Sequence, residues 1–282
     1  MKRKLAFLLM LCFGWSFFLN GCGGTLPKTD DRLQVVCTIF PEYDWARQLT
    51  QGVDNVDLTL LVKNGTDLHS YQPSVRDIAM IARADVFCYV GGVSDTWVND
   101  VLDTTENRTA QLVSMAEAAD ADEEVLAEGM QAEHEHEHEH EHDHHDDESD
   151  SHEEPPELDE HVWLSLRRAA LACTAMKEAL CKADPTHEDI YNQNCTDYLQ
   201  KLQELDSDFT EMTSQAARDT IVVADRFPFR YLAEDYGLTY YAAFPGCSAE
   251  TEASFETIVF LSEKVESLHL PCVLVTEGSN SS

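Results

Sequence analysis

Histidine and acidic residues alternate over a short stretch of the chain that contains no apolar side chain. Residues 133–145 read EHEHEHEHEHDHH, and a further histidine stands at position 152. Imidazole and carboxylate are ligands that borderline cations such as Zn²⁺ accept, and the acidic neighbours attract a dication. The stretch is therefore predicted to be an auxiliary metal-binding tract. Eight of the twelve histidines belong to it: His134, His136, His138, His140, His142, His144, His145 and His152.

Two simpler explanations of this tract fit the sequence less well. An engineered histidine tag is a continuous run at a terminus, whereas this stretch is internal and alternates with acid. The pattern H-E-x-x-H, as in His134, Glu135 and His138, indicates a zinc protease only when a folded helix carries it. Because residues 133–145 hold no apolar side chain that could be buried, we expect an insert that is disordered without metal.

Two other histidines lie in segments that are predicted to be folded. His69 lies in the loop after a predicted strand, and His161 lies just before a predicted helix. Loops at the carboxyl ends of parallel strands are where α/β folds place ligands. A lone loop histidine is more often a surface residue, but two such loops beside a metal-attracting tract favour a metal site. His69 and His161 are therefore the principal metal-ligand candidates.

The charge of the chain restricts the classes of partner. The formal net charge is −34, and no Lys or Arg occurs between Arg108 and Arg167. Much of the acidity therefore belongs to one segment. Such a field excludes nucleic acid as a partner and suits a cation as the ligand.

The N-terminal residues are typical of an exported lipoprotein. Lys2, Arg3 and Lys4 precede an apolar run of about fifteen residues, which suits a signal peptide better than a membrane span. The run ends in Leu-Asn-Gly-Cys, which resembles a bacterial lipobox. We expect residues 1–21 to be a signal peptide, Cys22 to be lipidated, and 22–32 to be a tether. The alternative is an ordinary cleaved secretory signal.

The elements that must position these histidines alternate between strand and helix. Continuous apolar β-branched runs at 33–39, 56–62, 85–90 and 111–113 alternate with helical stretches, which predicts a parallel sheet covered on both faces. An N-terminal lobe over 33–185 would contain the acidic insert 117–160. A helix over 186–218 carries one apolar stripe from Tyr191 to Met212 and would be a rigid link between lobes. A second lobe would occupy 219–282 and end in a strand at 271–277, and we expect it to lack a C-terminal segment.

Several sequence motifs together resemble those of the extracytoplasmic solute-binding lipoproteins of zinc and manganese ABC importers. The family loop D-P-H-x-Y-x-P-x-x-x-D is matched, except that Leu68 replaces Pro, by Asp67, His69, Tyr71, Pro73 and Asp77. The family motif D-x-H-x-W-L-S is matched by Asp159, His161, Trp163, Leu164 and Ser165. The helix start DP-x(n)-Y-x-x-N is matched by Asp184, Pro185, Tyr191 and Asn194. The resemblance implies two α/β lobes joined by one long helix, with the metal in the cleft between them.

One departure from the family pattern concerns the third ligand. The family usually has a histidine in H-x-A-F-x-Y, and counting back from Tyr231 puts Arg226 at that position. An arginine cannot ligate a cation. The remaining candidates for completing the shell are carboxylates after predicted strands: Asp225, Glu250, Glu252 and Glu277.

The sequence therefore predicts a receptor that is not an enzyme. It would bind Zn²⁺ in the inter-lobe cleft, with Mn²⁺ as the alternative cation, and would deliver it to the permease of an ABC importer. We expect a monomer held to the bacterial membrane by its N-terminal lipid. Two other functions stay open at this point, namely a surface zinc buffer or adhesin without a transport role and a zinc hydrolase.

Overall fold

The chain folds as alternating strands and helices that build two parallel β-sheets. The computed structural model describes residues 32–63, 66, 68–105, 107, 109–130, 157–248 and 252–276. The predicted signal peptide, Cys22, every histidine of the tract, Glu250 and Glu277 lie outside these residues. Within the described residues, no helix combines the length and the apolar character needed to cross a bilayer.

The strands and helices of the described residues have the following bounds. The strands are β1 (Leu33–Cys37), β2 (Val56–Leu60), β3 (Val86–Tyr89), β4 (Gln111–Ser114), β5 (Thr220–Phe227) and β6 (Thr239–Pro245). The helices are α1 (Phe40–Leu49), α2 (Val75–Ile81), α3 (Trp97–Thr104), α4 (Met115–Ala118), α5 (Leu166–Ala183), α6 (Glu188–Ser214), α7 (Arg230–Asp235) and α8 (Phe255–Ser267).

The first sheet is fully parallel, with the strand order β2-β1-β3-β4. Its strands are apolar on both faces, because successive side chains of a strand point to opposite sides. Val35 and Val86 face a core formed with α1, α5 and α6. Val36 and Phe87 face a second core formed with α2 and α3. The predicted parallel sheet with helices on both faces is confirmed.

The longest helix, α6, links the two parts of the fold. Its first half is buried through Tyr191, Cys195 and Leu202 against the core of the first sheet. In its second half Phe209 stacks on Tyr236, which follows α7, with ring centroids 5.2 Å apart. With 27 residues, the helix is about 40 Å long. The predicted linking helix is thus present, and it contacts elements of both parts.

The second sheet pairs β5 with β6 in parallel. Val222 and Val223 face opposite sides, toward α8 and α7 respectively. Helix α7 ends as predicted before Gly237, whose φ of +66° is readily adopted only by glycine. The prediction of a full strand over 271–277 is wrong for the described part of that segment. It forms a single parallel bridge from Leu274 to Val223, because its side chains stay exposed and no packing extends the pairing.

Residues at the described edges of the predicted insert 117–160 take part in the fold. These edges pair with each other, since Glu123 and Leu158 form an antiparallel bridge. The backbone N–H of Asp159 also donates to the carbonyl of Asp122 at 2.9 Å. The described edges of the insert, on either side of the tract, therefore lie side by side.

The seven cysteines of the described residues are free thiols. Cys37 and Cys88, which lie in apolar runs of the sequence, are fully buried in the first sheet. Cys272, which has a similar context, is exposed instead, because the segment around it does not join the core. The apolar pattern alone therefore does not distinguish buried from exposed thiols.

Glu42 is a fully buried carboxyl at the start of α1. It accepts hydrogen bonds from the backbone N–H groups of Thr38 at 2.7 Å and Ile39 at 3.2 Å. Burial, with a smaller contribution from Asp95, raises its pKa from 4.5 to about 8 despite these donors. The unfolded chain loses this proton near pH 4.5, whereas the folded chain keeps it up to about pH 8. The free energy of unfolding therefore falls as pH rises through that window.

Candidate metal centre

The loop that carries His69 is shaped by the residues around it. After β2 the chain makes a short 3₁₀ turn over Leu68–Ser70 and then enters α2. Ser74 caps that helix by accepting from the backbone N–H of Asp77. The Asp77 carboxylate in turn accepts from the hydroxyl of Tyr71 at 3.0 Å. These contacts explain why Tyr71 and Asp77 accompany the histidine in the sequence.

The ring of His69 is oriented by a buried carboxylate and a hydroxyl. Its Nδ1 lies 2.8 Å from Oγ of Ser94 and 3.3 Å from Oε1 of Glu160. Ser94 also donates both its hydroxyl and its backbone N–H to the fully buried Glu160. Hydrogen bonds of this kind orient zinc-ligating imidazoles in metalloproteins.

His161 sits directly after Glu160 at the start of the 3₁₀ turn Val162–Leu164. Oδ1 of Asp159 lies 3.0 Å from its Nδ1 and 3.1 Å from its backbone nitrogen. The residue is only 4% exposed. The centroids of the His69 and His161 rings are 5.7 Å apart. Rings that share one tetrahedral zinc have centroids roughly 5 to 5.5 Å apart, so the two imidazoles lie within reach of one ion.

A third potential donor comes from the loop after β6. Sγ of Cys247 lies 4.0 Å from Nδ1 of His161. Asp159, His161 and Cys247 each offer a ligand atom, and these atoms lie within 4.8 Å of one another. The backbone N–H of Cys247 donates to Oε1 of Glu124 at 2.9 Å. The loop between β6 and α8 therefore meets the histidine of the first part of the chain.

The electrostatics of this centre favour a cation. Burial raises the pKa of the Cys247 thiol, and the nearby Glu160 and Glu124 raise it further. Burial also raises the pKa of Glu124, and Asp159 adds to the effect. Cys247 and Glu124 therefore resist carrying a negative charge here, and a dication beside them would relieve that repulsion.

The carboxylates predicted to complete the shell are placed differently. Oδ1 of Asp225 accepts from the backbone N–H of Arg226 at 2.8 Å, and Oδ2 accepts from the backbone and hydroxyl of Thr276. Asp225 therefore ties the 274–276 segment to β5. Glu252 is exposed ahead of α8. Glu250 and Glu277 lie outside the described residues.

The structure thus brings His69 and His161 together and adds residues that the sequence reasoning did not name as ligands. Asp159 entered the sequence analysis only as part of the family motif D-x-H-x-W-L-S, and Glu160, Cys247 and Glu124 were not singled out. One signal was available for Cys247, because Gly246 and Cys247 follow a predicted strand. The rule that selected the His69 loop therefore applies to this loop as well.

Two α/β units with paired imidazoles and carboxylates between them form an arrangement that can hold a divalent cation. The family model ZnuA, described as the zinc-uptake complex component A, periplasmic, matches residues 35–282. The chain belongs to this family, and the predicted resemblance is confirmed. The family description is that of an uptake component and not of an enzyme.

Named relatives and one solved structure support the assignment. The chain is 31% identical over 280 residues to the zinc-binding lipoprotein AdcA of Streptococcus pneumoniae strain R6, covering 99% of this chain and 51% of AdcA. It is 30% identical over 280 residues to the high-affinity zinc uptake system protein ZnuA of Bacillus subtilis, covering 98% of this chain and 81% of that protein. The chain spans about half the length of the streptococcal relatives that it matches.

The structural comparison agrees with the sequence comparison. The Zn(II)-bound ZnuA-like domain of Streptococcus pneumoniae AdcA superposes with a TM-score of 0.65 and is 28% identical. The match covers 89% of this chain and 80% of that domain. The two-lobe architecture predicted from the sequence is therefore that of a solved zinc-bound relative.

Proposed function

We propose that this protein is an extracytoplasmic receptor that binds Zn²⁺ between its two sheets and delivers it to the permease of an ABC importer. The observation that carries the proposal is the approach of His69 and His161, whose ring centroids are 5.7 Å apart. The ring of His69 is oriented through Nδ1 by Glu160, and Nδ1 of His161 lies 3.0 Å from Oδ1 of Asp159. Here zinc is the cargo, and the residues serve to capture and hold it.

The donors around the centre favour zinc over manganese. Two imidazoles with a carboxylate make a mixed nitrogen and oxygen site, which Zn²⁺ accepts readily, whereas Mn²⁺ prefers more oxygen ligands. Relatives that match nearly the whole chain are named zinc-binding proteins. We infer the same preference for this chain.

The remaining parts of the chain receive roles that fit this function. The N-terminal residues 1–21 act as a signal peptide, and Cys22 carries the lipid that anchors the monomer through the tether 22–32. The lobes 33–185 and 219–282 close on the ion, and 186–218 links them. The histidine tract raises the local concentration of zinc near the cleft.

The binding part of this proposal is tested by zinc competition against a chromophoric chelator that is strong enough to mask the weak tract. The full chain in mild detergent should bind one zinc tightly, and Mn²⁺ should compete poorly. The double variant His69→Ala, His161→Ala should lose that site. His187→Ala is the matched control, because His187 is hydrogen-bonded to Asp184 rather than to residues of the centre. Unchanged tight binding by the double variant would overturn the proposal.

Delivery is tested by growth under zinc limitation. A strain that lacks the gene should regain growth with the wild-type protein and with His187→Ala, but not with the double variant. If the deletion strain grows normally without added zinc, the protein stores zinc or adheres at the surface instead of transporting it.

A further inference from the structure

The position where the family usually has its third histidine is occupied by Arg226, which cannot ligate a cation. The Arg226 guanidinium donates through Nη1 to the carbonyl of Ser248 at 3.4 Å. The side chain therefore contacts the loop Gly246–Ser248, which includes Cys247. Arg226 therefore packs against a loop that carries another potential donor, the thiol of Cys247.

The geometry around His161 is close to that of a tetrahedral zinc site. With Zn–N of about 2.0 Å and Zn–S of about 2.3 Å, the nitrogen and sulfur ligands of one zinc lie about 3.5 Å apart, and nitrogen and oxygen ligands about 3.4 Å. The corresponding separations from Nδ1 of His161 are 4.0 Å to Sγ of Cys247 and 3.0 Å to Oδ1 of Asp159. Each differs from the ideal by about half an ångström.

We propose that Cys247 is a metal ligand of this centre and that its thiolate takes the place of the family's third imidazole. The inference rests on the proposed zinc-binding function and names a ligand for it. The site then holds zinc through His69, His161, Cys247 and Asp159. Zinc binding forms a Zn–S bond and releases the thiol proton to solvent.

The surroundings of Cys247 are built to hold the sulfur in place. Its backbone N–H is fixed by Glu124, which comes from the described edge of the acidic insert. The preceding residue is Gly246, and a Cβ added there would lie 2.9 Å from Cε1 and Nδ1 of the His161 ring. The loop therefore approaches the imidazole more closely than any residue with a side chain would allow. The acidic groups that disfavour a bare thiolate here also favour a dication bound to it.

Cobalt(II) substitution tests this ligand directly, because sulfur bound to cobalt gives an intense near-ultraviolet charge-transfer band that nitrogen and oxygen ligands do not give. The tract contains no cysteine, so cobalt bound there cannot produce this band. The full chain in mild detergent is loaded with one equivalent of Co²⁺. The wild type and Cys272→Ser, whose cysteine is exposed, should show the band, and Cys247→Ser should lack it.

The outcomes separate this inference from the function on which it rests. If the wild type binds zinc tightly but its cobalt form lacks the band, or if Cys247→Ser keeps it, the ligand assignment is overturned and the receptor function stands. If the wild type has no tight site, both fail. Even if a variant does not fold, the presence or absence of the charge-transfer band in the wild-type cobalt spectrum tests the ligand assignment.

Zinc affinity provides a second measurement. Removal of groups that only orient a ligand costs about 10- to 100-fold in affinity, so Cys247→Ser should lose at least about tenfold. Adding Arg226→His in the Cys247→Ser background should restore part of that loss, because it returns an imidazole to the family's position. A Cys247→Ser protein with wild-type zinc affinity would contradict the proposal.

Discussion

Gly246 is the residue whose substitution should most selectively damage the metal centre. It lies between the His161 ring and the backbone of Pro228, so an added Cβ would meet Cε1 and Nδ1 of His161 at 2.9 Å and the Pro228 Cα at 3.1 Å. We expect Gly246→Ala to displace His161 or the loop that carries Cys247. Neither neighbour is the far end of a flexible side chain that could simply rotate away.

The size of the effect follows from these distances. Carbon atoms in contact lie about 3.5 to 4.0 Å apart, so relief of the overlap requires a shift of roughly 0.6 Å or more. Metal–ligand distances tolerate only about 0.2 Å. Zinc affinity should therefore fall at least about tenfold, which corresponds to about 1.4 kcal/mol of binding free energy. Overpacking should also reduce the free energy of unfolding by about 1 to 3 kcal/mol.

Chelator competition and thermal unfolding separate the two effects. Gly52→Ala is the matched control, since Gly52 has a φ of +86° but no atom within 4 Å of an added Cβ. That substitution should cost about 1 to 2 kcal/mol of stability through backbone strain and leave zinc affinity unchanged. If Gly246→Ala binds zinc within twofold of the wild type, the close approach of this loop to His161 is not part of the binding site.

Three further predictions address the folding core, the support of His69 and the tract. Ionisation of Glu42 lowers the free energy of unfolding by up to about 1.4 kcal/mol per pH unit between about pH 4.5 and 8, so Glu42→Gln should flatten that decline. Urea titrations across this range measure the effect, with the exposed Glu263→Gln as control. Equal slopes for the wild type and Glu42→Gln would refute the prediction. Ser94→Ala should weaken zinc binding about 10- to 100-fold by releasing Nδ1 of His69, whereas Ser262→Ala, on the surface of α8, should have no effect in the same competition assay. Deletion of 133–152 should leave tight stoichiometric binding intact and remove weak sites in calorimetry, and loss of the tight site would contradict that division of labour.

The fold was predictable from the sequence where apolar runs pack on both faces. The strand predicted at 111–113 is present as β4, Gln111–Ser114. Its pairing with β3 provides the burial that its apolar residues predict. The segment PCVLVT fits the same pattern but remains mostly exposed, with Val275 at 55%. An apolar pattern indicates that a segment can be buried, but whether it is buried depends on packing partners from other parts of the chain.

The candidate site was predictable only on the side that one sheet builds. His69 and His161 both follow from loop position and neighbouring acids. Cys247 approaches His161 across 86 residues of sequence, through the packing of the second sheet against the first part of the chain. No periodicity encodes that approach. The sequence offered two signals, namely the loop position of Cys247 after a predicted strand and the presence of Arg226 where the family has a histidine.

The histidine tract is connected to this centre more directly than its composition suggests. The described edges of the insert that contains it are held together where Glu124 donates its backbone N–H to the carbonyl of Glu157 at 2.8 Å. Glu124 contacts Cys247, and Asp159 contacts His161, so both ends begin beside proposed ligands. Residues 131–156 lie between these ends, and none can be farther than about 50 Å along the chain from the nearer one. On the proposed role of the tract, the covalent chain would keep a captured ion near the cleft and favour its transfer to the centre over loss to solvent.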